Sequence, residues 1–119
     1  MRNFRDYSVW KNSIQFVNSI YNEIHSFPES EKYAIISQIT RASISIASNI
    51  AEGTSRNSEK DFNRLIEMSI GSSFEVETLL EISRMRNYLT EEKYNELITA
   101  LNIIQKQLNA LHSKLTSKH

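Results

Sequence analysis

The stretch Arg41–Gly53, RASISIASNIAEG, sets isoleucines and alanines among serines, with one arginine, one asparagine and one glutamate. Wound at about 100° per residue, as an α-helix requires, the segment and its lead-in separate into two faces. Ile36, Ile39, Ala42, Ile46, Ala47 and Ile50 gather on one side, while Gln38, Arg41, Ser45, Ser48, Asn49 and Glu52 gather on the other. The apolar side predicts a helix packed on a core. The polar side is built mostly of small residues rather than long charged ones, so another backbone or a flat partner could approach it closely. The helix is expected over about residues 30–53, with Glu29 or Ser30 near its cap and Gly53 as a left-handed C-terminal residue.

The same periodicity extends on both sides. Over about residues 6–26, Trp10, Ile14, Val17, Tyr21 and Ile24 recur at spacings of four and three and predict a core stripe. Phe16, Ile20 and Phe27 form a second stripe beside it, which is more apolar surface than one seam requires. Pro28 ends that helix. A third helix is expected over about 58–87, opening on Ser58 with Asp61 in the pattern of a capping box, and with Phe62, Leu65, Ile66, Val76 and Leu80 as its core stripe. A fourth, over about 90–116, starts at Thr90 with Glu91 and Glu92 in its first turn. Its seam is Leu97, Leu101, Ile104, Leu108, Leu111 and Leu115. Short connections force antiparallel neighbours. The expected fold is therefore all-α, a single-domain, up-down-up-down four-helix bundle over residues 1–119.

Composition bounds the function. The chain has 119 residues, 39% hydrophobic, with two glycines, one proline and no cysteine. There is no disulfide framework, thiolate nucleophile or zinc-thiolate cluster, and a cytoplasmic location is expected. Charge-free runs reach only about ten residues, against roughly 20 for a membrane span, so no membrane partner is expected.

A second face on the third helix gathers Met68, Gly71, Ser72, Glu75, Leu79 and Ile82. Gly71 in mid-helix costs about 1 kcal/mol against alanine, and close packing is the usual compensation. One reading is a subunit interface; the other is a tolerated glycine among scattered surface apolars. Antiparallel pairing of helices two and three brings Arg41 level with Gly71 and within about a turn of Glu67 and Glu75. A charged pair there, within one chain or between two, would specify register more than add stability.

The formal charge is zero, with 14 basic and 14 acidic residues, yet the charges are not evenly spread. One end of the bundle collects Arg2, Arg5, Lys11, Arg56, Lys60, Arg64, Lys114 and Lys118 against Asp6, Glu52, Glu59 and Asp61, a local charge of +4. The other end carries −4, from Glu23, Glu29, Glu31, Glu77, Glu81, Glu91, Glu92 and Glu96 against Lys32, Arg84, Arg86 and Lys93. In a ring of parallel subunits the basic ends would form a surface suited to a phosphate backbone, RNA or DNA. The competing reading is an ordinary solvated bundle end.

No catalytic constellation emerges. His25, His112 and His119 are far apart, and none follows a glutamate by three residues as di-iron bundles require. Two isolated glycines supply no phosphate loop. Seventeen serines come with no nucleophile elbow, and their size and helical spacing explain them better. Glu75 with Glu67 or Glu52 reads as ion-pair chemistry rather than a carboxylate dyad. No cofactor or metal is expected.

RASISIASNIAEG followed by DFNRLIEMSIGSSFEVETLLEIS (Asp61–Ser83), with the opening FRDYSVWKNSIQFV, resembles the four-helix-bundle family associated with intervening sequences of bacterial 23S ribosomal RNA genes. The resemblance implies a bacterial protein that assembles as a ring-like homopentamer, with no known enzymatic activity. It places the family's characteristic positions on Arg41, Ser45, Asn49, Glu52 and Gly53, and on Gly71, Ser72, Glu75 and Glu77. The accessory variability protein of diversity-generating retroelements is a related member, similar in fold and pentameric state, which binds a reverse transcriptase and nucleic acid through basic surface. The neutral charge of the present chain departs from that case. Two functions follow as expectations: an oligomeric scaffold for a protein partner, or a nucleic-acid binding ring.

Overall fold

The computed structural model describes residues 2–117 and contains four long helices and no strand among them. They are α1 (Ser8–Glu23), α2 (Ile35–Thr54), α3 (Glu59–Met85) and α4 (Glu91–Thr116). Single turns of 3-10 helix precede α1 (Phe4–Asp6) and occupy the α1–α2 connection (Ile24–Ser26 and Glu29–Glu31). Each helix packs on two neighbours in the cyclic order α1, α2, α3, α4, the arrangement expected of an up-down-up-down bundle. The molecule is a rod of 45 × 23 × 20 Å, so its two charged ends stand far apart on the scale of screening, about 10 Å at moderate salt.

Local chemistry sets most helix ends. Ser58 caps α3 by accepting the Asp61 amide at 3.0 Å, and Thr90 caps α4 by accepting the Lys93 amide at 3.1 Å. The reciprocal half of the expected capping box is not made, because the Asp61 carboxylate faces Arg56 and Arg64 instead. α3 ends in a Schellman motif: Asn87 takes φ 62°, its amide donates to the Arg84 carbonyl, and the Tyr88 amide donates to that of Ser83. Among the described residues Asn87, not Gly53, is left-handed, since neither glycine has positive φ. The second helix also starts later than residue 30. Pro28 directs a turn of 3-10 helix, and the backbone at Ala34 (φ −117°, ψ −107°) interrupts it before α2 begins.

The stripes expected on α3 and α4 face the core, with Phe62, Leu65, Ile66, Val76, Leu80, Leu97, Leu101, Ile104, Leu108 and Leu115 buried and Leu111 of the expected seam only partly buried against them. On α1 the two stripes exchange roles. Val9, Phe16 and Ile20 face the core with Phe27 below them, whereas Ile14 and Tyr21 are 41% and 44% exposed and Trp10, Val17 and Ile24 are only partly covered. Serines complete the interior: Ser13, Ser43, Ser69, Ser73 and Ser83 are buried, each donating its hydroxyl to a helix carbonyl. A hydroxymethyl group that satisfies itself in this way lets helices approach closely without leaving an orphaned polar atom.

Candidate functional site

The polar stripe of α2 meets α3 in a cleft of about 340 Å³ lined by Gln38, Arg41, Ala42, Ser45, Ser72 and Glu75. Its floor is a small hydrogen-bonded cluster. Ser45 and Ser72 share a hydrogen bond of 2.9 Å across the two helices, and the Asn49 amide nitrogen donates to both the carbonyl and the hydroxyl of Ser45, each at 2.9 Å. Above this floor, Arg41 and Glu75 are exposed on opposite walls. Among the described residues neither makes an ion pair or hydrogen bond, so the charged pair expected here is not formed within one chain. Two helices whose floor is closed by a serine pair hold the bases of the walls together, while the longer side chains splay into water.

The other residues of the stripe have separate roles. Glu52 pairs with Arg56 one turn on, at 3.1 Å. Gly53 is buried, and a Cβ there would stand 2.8 Å from Phe62 Cδ1 and 3.1 Å from Leu65 Cβ; this glycine lets α2 cross the first turns of α3. Gly71 is the opposite case, with nothing within 4 Å of a Cβ built on it. The close packing expected to offset its cost is therefore absent within the chain. It sits on the outer ridge of α3 with exposed Met68 and Ile82, while Leu79, placed on this face by periodicity, is buried in the core. Glu67 engages His112 of α4 at 2.9 Å, and Glu77 accepts from Gln105 of α4 at 2.9 Å.

At the end of the bundle where α1 and α3 start, four of the cations named above are committed to partners within the chain. Arg2 donates to the Arg56 carbonyl at 2.6 Å and lies over the Phe62 ring, and Arg5 stacks on Phe4. Asp61 engages Arg64 at 3.1 Å and Arg56 at 3.8 Å. Lys11, Lys60 and Lys114 remain exposed and, among the described residues, make no ion pair. Lys118 lies outside the described residues.

The opposite end holds a cluster that periodicity does not reveal. Arg84 donates to Glu81, whose other carboxylate oxygen accepts from the Tyr94 hydroxyl at 2.6 Å. The Arg84 guanidinium, followed by the Tyr94 hydroxyl, holds the Glu81 carboxyl below its ordinary range, and the bond to Glu81 pushes the Tyr94 phenol up. Tyr88 donates to Glu31 at 2.8 Å across the bundle end. Among the described residues no group of three or more potential ligands could hold a metal ion. Among the described residues no helix is long and apolar enough to cross a membrane.

The family profile for 23S rRNA-intervening sequence proteins matches residues 5–110. The chain belongs to that family. Its membership agrees with the resemblance carried by the α2 and α3 segments. Among solved structures, this member of the 23S rRNA-intervening sequence family is similar to a protein with unknown function from the S23 ribosomal protein family of Bacteroides thetaiotaomicron. The two share 27% identity over 87% of this chain and 97% of that one, with a TM-score of 0.81. No functionally curated protein matches the sequence.

Proposed function

We propose that this chain is a non-enzymatic assembly subunit, a cytoplasmic helical-bundle scaffold that forms a homopentamer and presents its surfaces to a protein partner. The observation that carries the reading is the unsatisfied α2–α3 face. Among the described residues Arg41 and Glu75 make no ion pair across an open cleft, and a Cβ built on Gly71 beside them meets nothing within 4 Å that would offset a helix-weakening glycine. Such a face is economical if a second subunit covers it, with Arg41 and Glu75 setting the register by charge. The ring of five follows from the family resemblance. Light scattering tests it: the mass should be five times the 13.8 kDa of the chain, and Arg41→Met should lower it or broaden its distribution. A monomeric wild-type protein, or an oligomer unchanged by Arg41→Met together with Glu75→Gln, would overturn the reading.

A second reading is a ring that binds RNA or DNA through its basic end. Exposed Lys11, Lys60 and Lys114, which make no ion pair among the described residues, favour it. Gel-shift titration against structured RNA should then show affinity that falls as salt rises. Changing these three lysines together to glutamate should abolish it; an undiminished shift would exclude the reading.

A further inference from the structure

The hydroxyls on the floor of the α2–α3 cleft are bonded differently from those of the buried serines. Ser13, Ser43, Ser69, Ser73 and Ser83 each donate to a helix carbonyl. Ser45 and Ser72 instead share a hydrogen bond of 2.9 Å, and Ser45 also accepts from the Asn49 amide nitrogen at 2.9 Å. Two hydroxyls carry two hydrogens. Their shared bond uses one, and among the described residues the other has no acceptor. Whichever serine donates, the remaining hydrogen sits on an oxygen of a residue lining the cleft. In either arrangement that oxygen already accepts a hydrogen bond, which strengthens it as a donor.

About one helical turn separates Arg41 from Ser45 on one wall and Ser72 from Glu75 on the other. Arg41 and Glu75 are exposed, line the same cleft and make no ion pair among the described residues. A guanidinium beside a hydroxyl donor suits a carboxylate, which can accept from both. The wall opposite carries the reverse charge, and the Glu75 carboxylate suits an ammonium group. The cleft, about 340 Å³, lies at the small end of ligand sites. Its remaining lining, Gln38 and Ala42, provides no apolar pocket, so it selects by the charges at the two ends of a ligand rather than by side-chain shape.

We infer that the α2–α3 cleft binds a small zwitterion carrying one carboxylate and one ammonium group, a free amino acid or a dipeptide. Arg41 and the floor hydroxyl take the carboxylate, and Glu75 takes the ammonium. Every group that holds the ligand comes from one chain, so the site goes beyond the scaffold reading, in which the same two side chains meet a second subunit. A simple anion is repelled by Glu75 and a simple cation by Arg41, which is how the pair discriminates.

Titration of isotope-labelled protein with glycine and with glycylglycine, followed by amide chemical shifts, tests this. The amides around Ser45 and Ser72 should shift and saturate at about 10 mM or below, and the probe with the lower midpoint identifies the amino acid or the dipeptide as the better ligand. N-acetylglycine, which lacks the ammonium, and glycinamide, which lacks the carboxylate, should each bind about tenfold more weakly. Arg41→Gln and Glu75→Gln should each weaken the better probe about tenfold. Both side chains are exposed, so the melting temperatures of the variants should stay close to wild type and show that they fold. Absence of saturable shifts, or binding that either single-charge probe or either variant reproduces in full, would overturn the inference. Light scattering of the same samples separates the two readings. An oligomer that depends on Arg41 but binds no zwitterion would overturn this site alone, whereas a monomer that binds one would support the site and overturn the scaffold.

Discussion

Gly53 of α2 lies so close to Phe62 of α3 that a methyl group on its Cα would stand 2.8 Å from the Phe62 ring. Phe62 is 1% exposed and packed in the core, so the ring cannot swing aside without disturbing neighbours. Gly53→Ala should gain roughly 1 kcal/mol of helix propensity and lose more to overpacking, which costs about 1–3 kcal/mol. A net destabilisation is expected, read as a lower midpoint in urea unfolding.

Gly71→Ala should act in the opposite direction. With open space around the new methyl group, the substitution only restricts the unfolded chain and improves helix propensity, adding about 0.5–1 kcal/mol. Shifts of opposite sign in the thermal midpoints of the two glycine variants would show that the neighbouring helix, not the glycine itself, sets the direction.

Ser69 donates its hydroxyl to the Ile46 carbonyl at 2.8 Å, a buried hydrogen bond that ties α3 to α2. Ser69→Ala should cost about 1 kcal/mol, whereas Ser69→Leu, forced between two closely packed helices, should cost about 1–3 kcal/mol through overpacking. Circular dichroism melts of the pair check this, and a neutral Ser69→Leu would mean the helix interface is loose at that level.

Phe16 and Ile14 distinguish the two stripes of α1. Phe16 is 2% exposed and Ile14 is 41% exposed. Phe16→Ala should cost about 3–5 kcal/mol and leave little folded protein. Ile14→Ala should cost well under that, because much of the side chain is already in water in the folded subunit.

The Glu81 carboxyl is held low first by Arg84 and then by Tyr94. A carboxyl whose folded value lies below its unfolded value contributes stability that is present above the unfolded value, near about 4.3 for glutamate. That contribution fades as pH falls through it toward the folded value. The stability difference between wild type and Glu81→Gln should therefore be largest near neutrality and shrink below about pH 4. Because the pair is exposed the effect should be small, and a difference that grows on acidification would contradict the assignment. Tyr94, pushed up by Glu81, behaves in reverse: its contribution is present while the phenol is protonated and is lost as strongly alkaline pH is reached.

Charge and salt behaviour follow from what the bundle leaves unpaired. With Arg56 and Arg64 engaged by Asp61 and Glu52, replacing them with glutamine should alter stability at the basic end more than any phosphate affinity. Replacing Lys11, Lys60 and Lys114 should leave the melting temperature within a degree or two, since exposed unpaired lysines contribute little to folding.

Local sequence determined the parts of this protein that depend on near neighbours. The Ser58 and Thr90 caps, the seam of α4 from Leu97 to Leu115, the core stripe of α3 and the short connections that make the bundle antiparallel all follow from helical period and capping chemistry. These are interactions within a few residues, so they are legible without coordinates. The α2 and α3 segments also carried the family. What tertiary structure alone decided depends on where a neighbouring helix lies. α1 has two apolar stripes of equal periodic merit, and only the positions of α2 and α4 select Phe16 and Ile20 for the core and leave Ile14 and Tyr21 outside. Sequence places Gly53 at a helix end and asks for close packing at Gly71, yet Gly53 is the contact point between helices and Gly71 stands in open space. Arg41 and Glu75 are level on adjacent helices, but the Ser45–Ser72 hydrogen bond fixes the floor of their cleft while each side chain remains in solvent. Periodicity states which residues share a face; the crossing of two helices in space determines what that face meets.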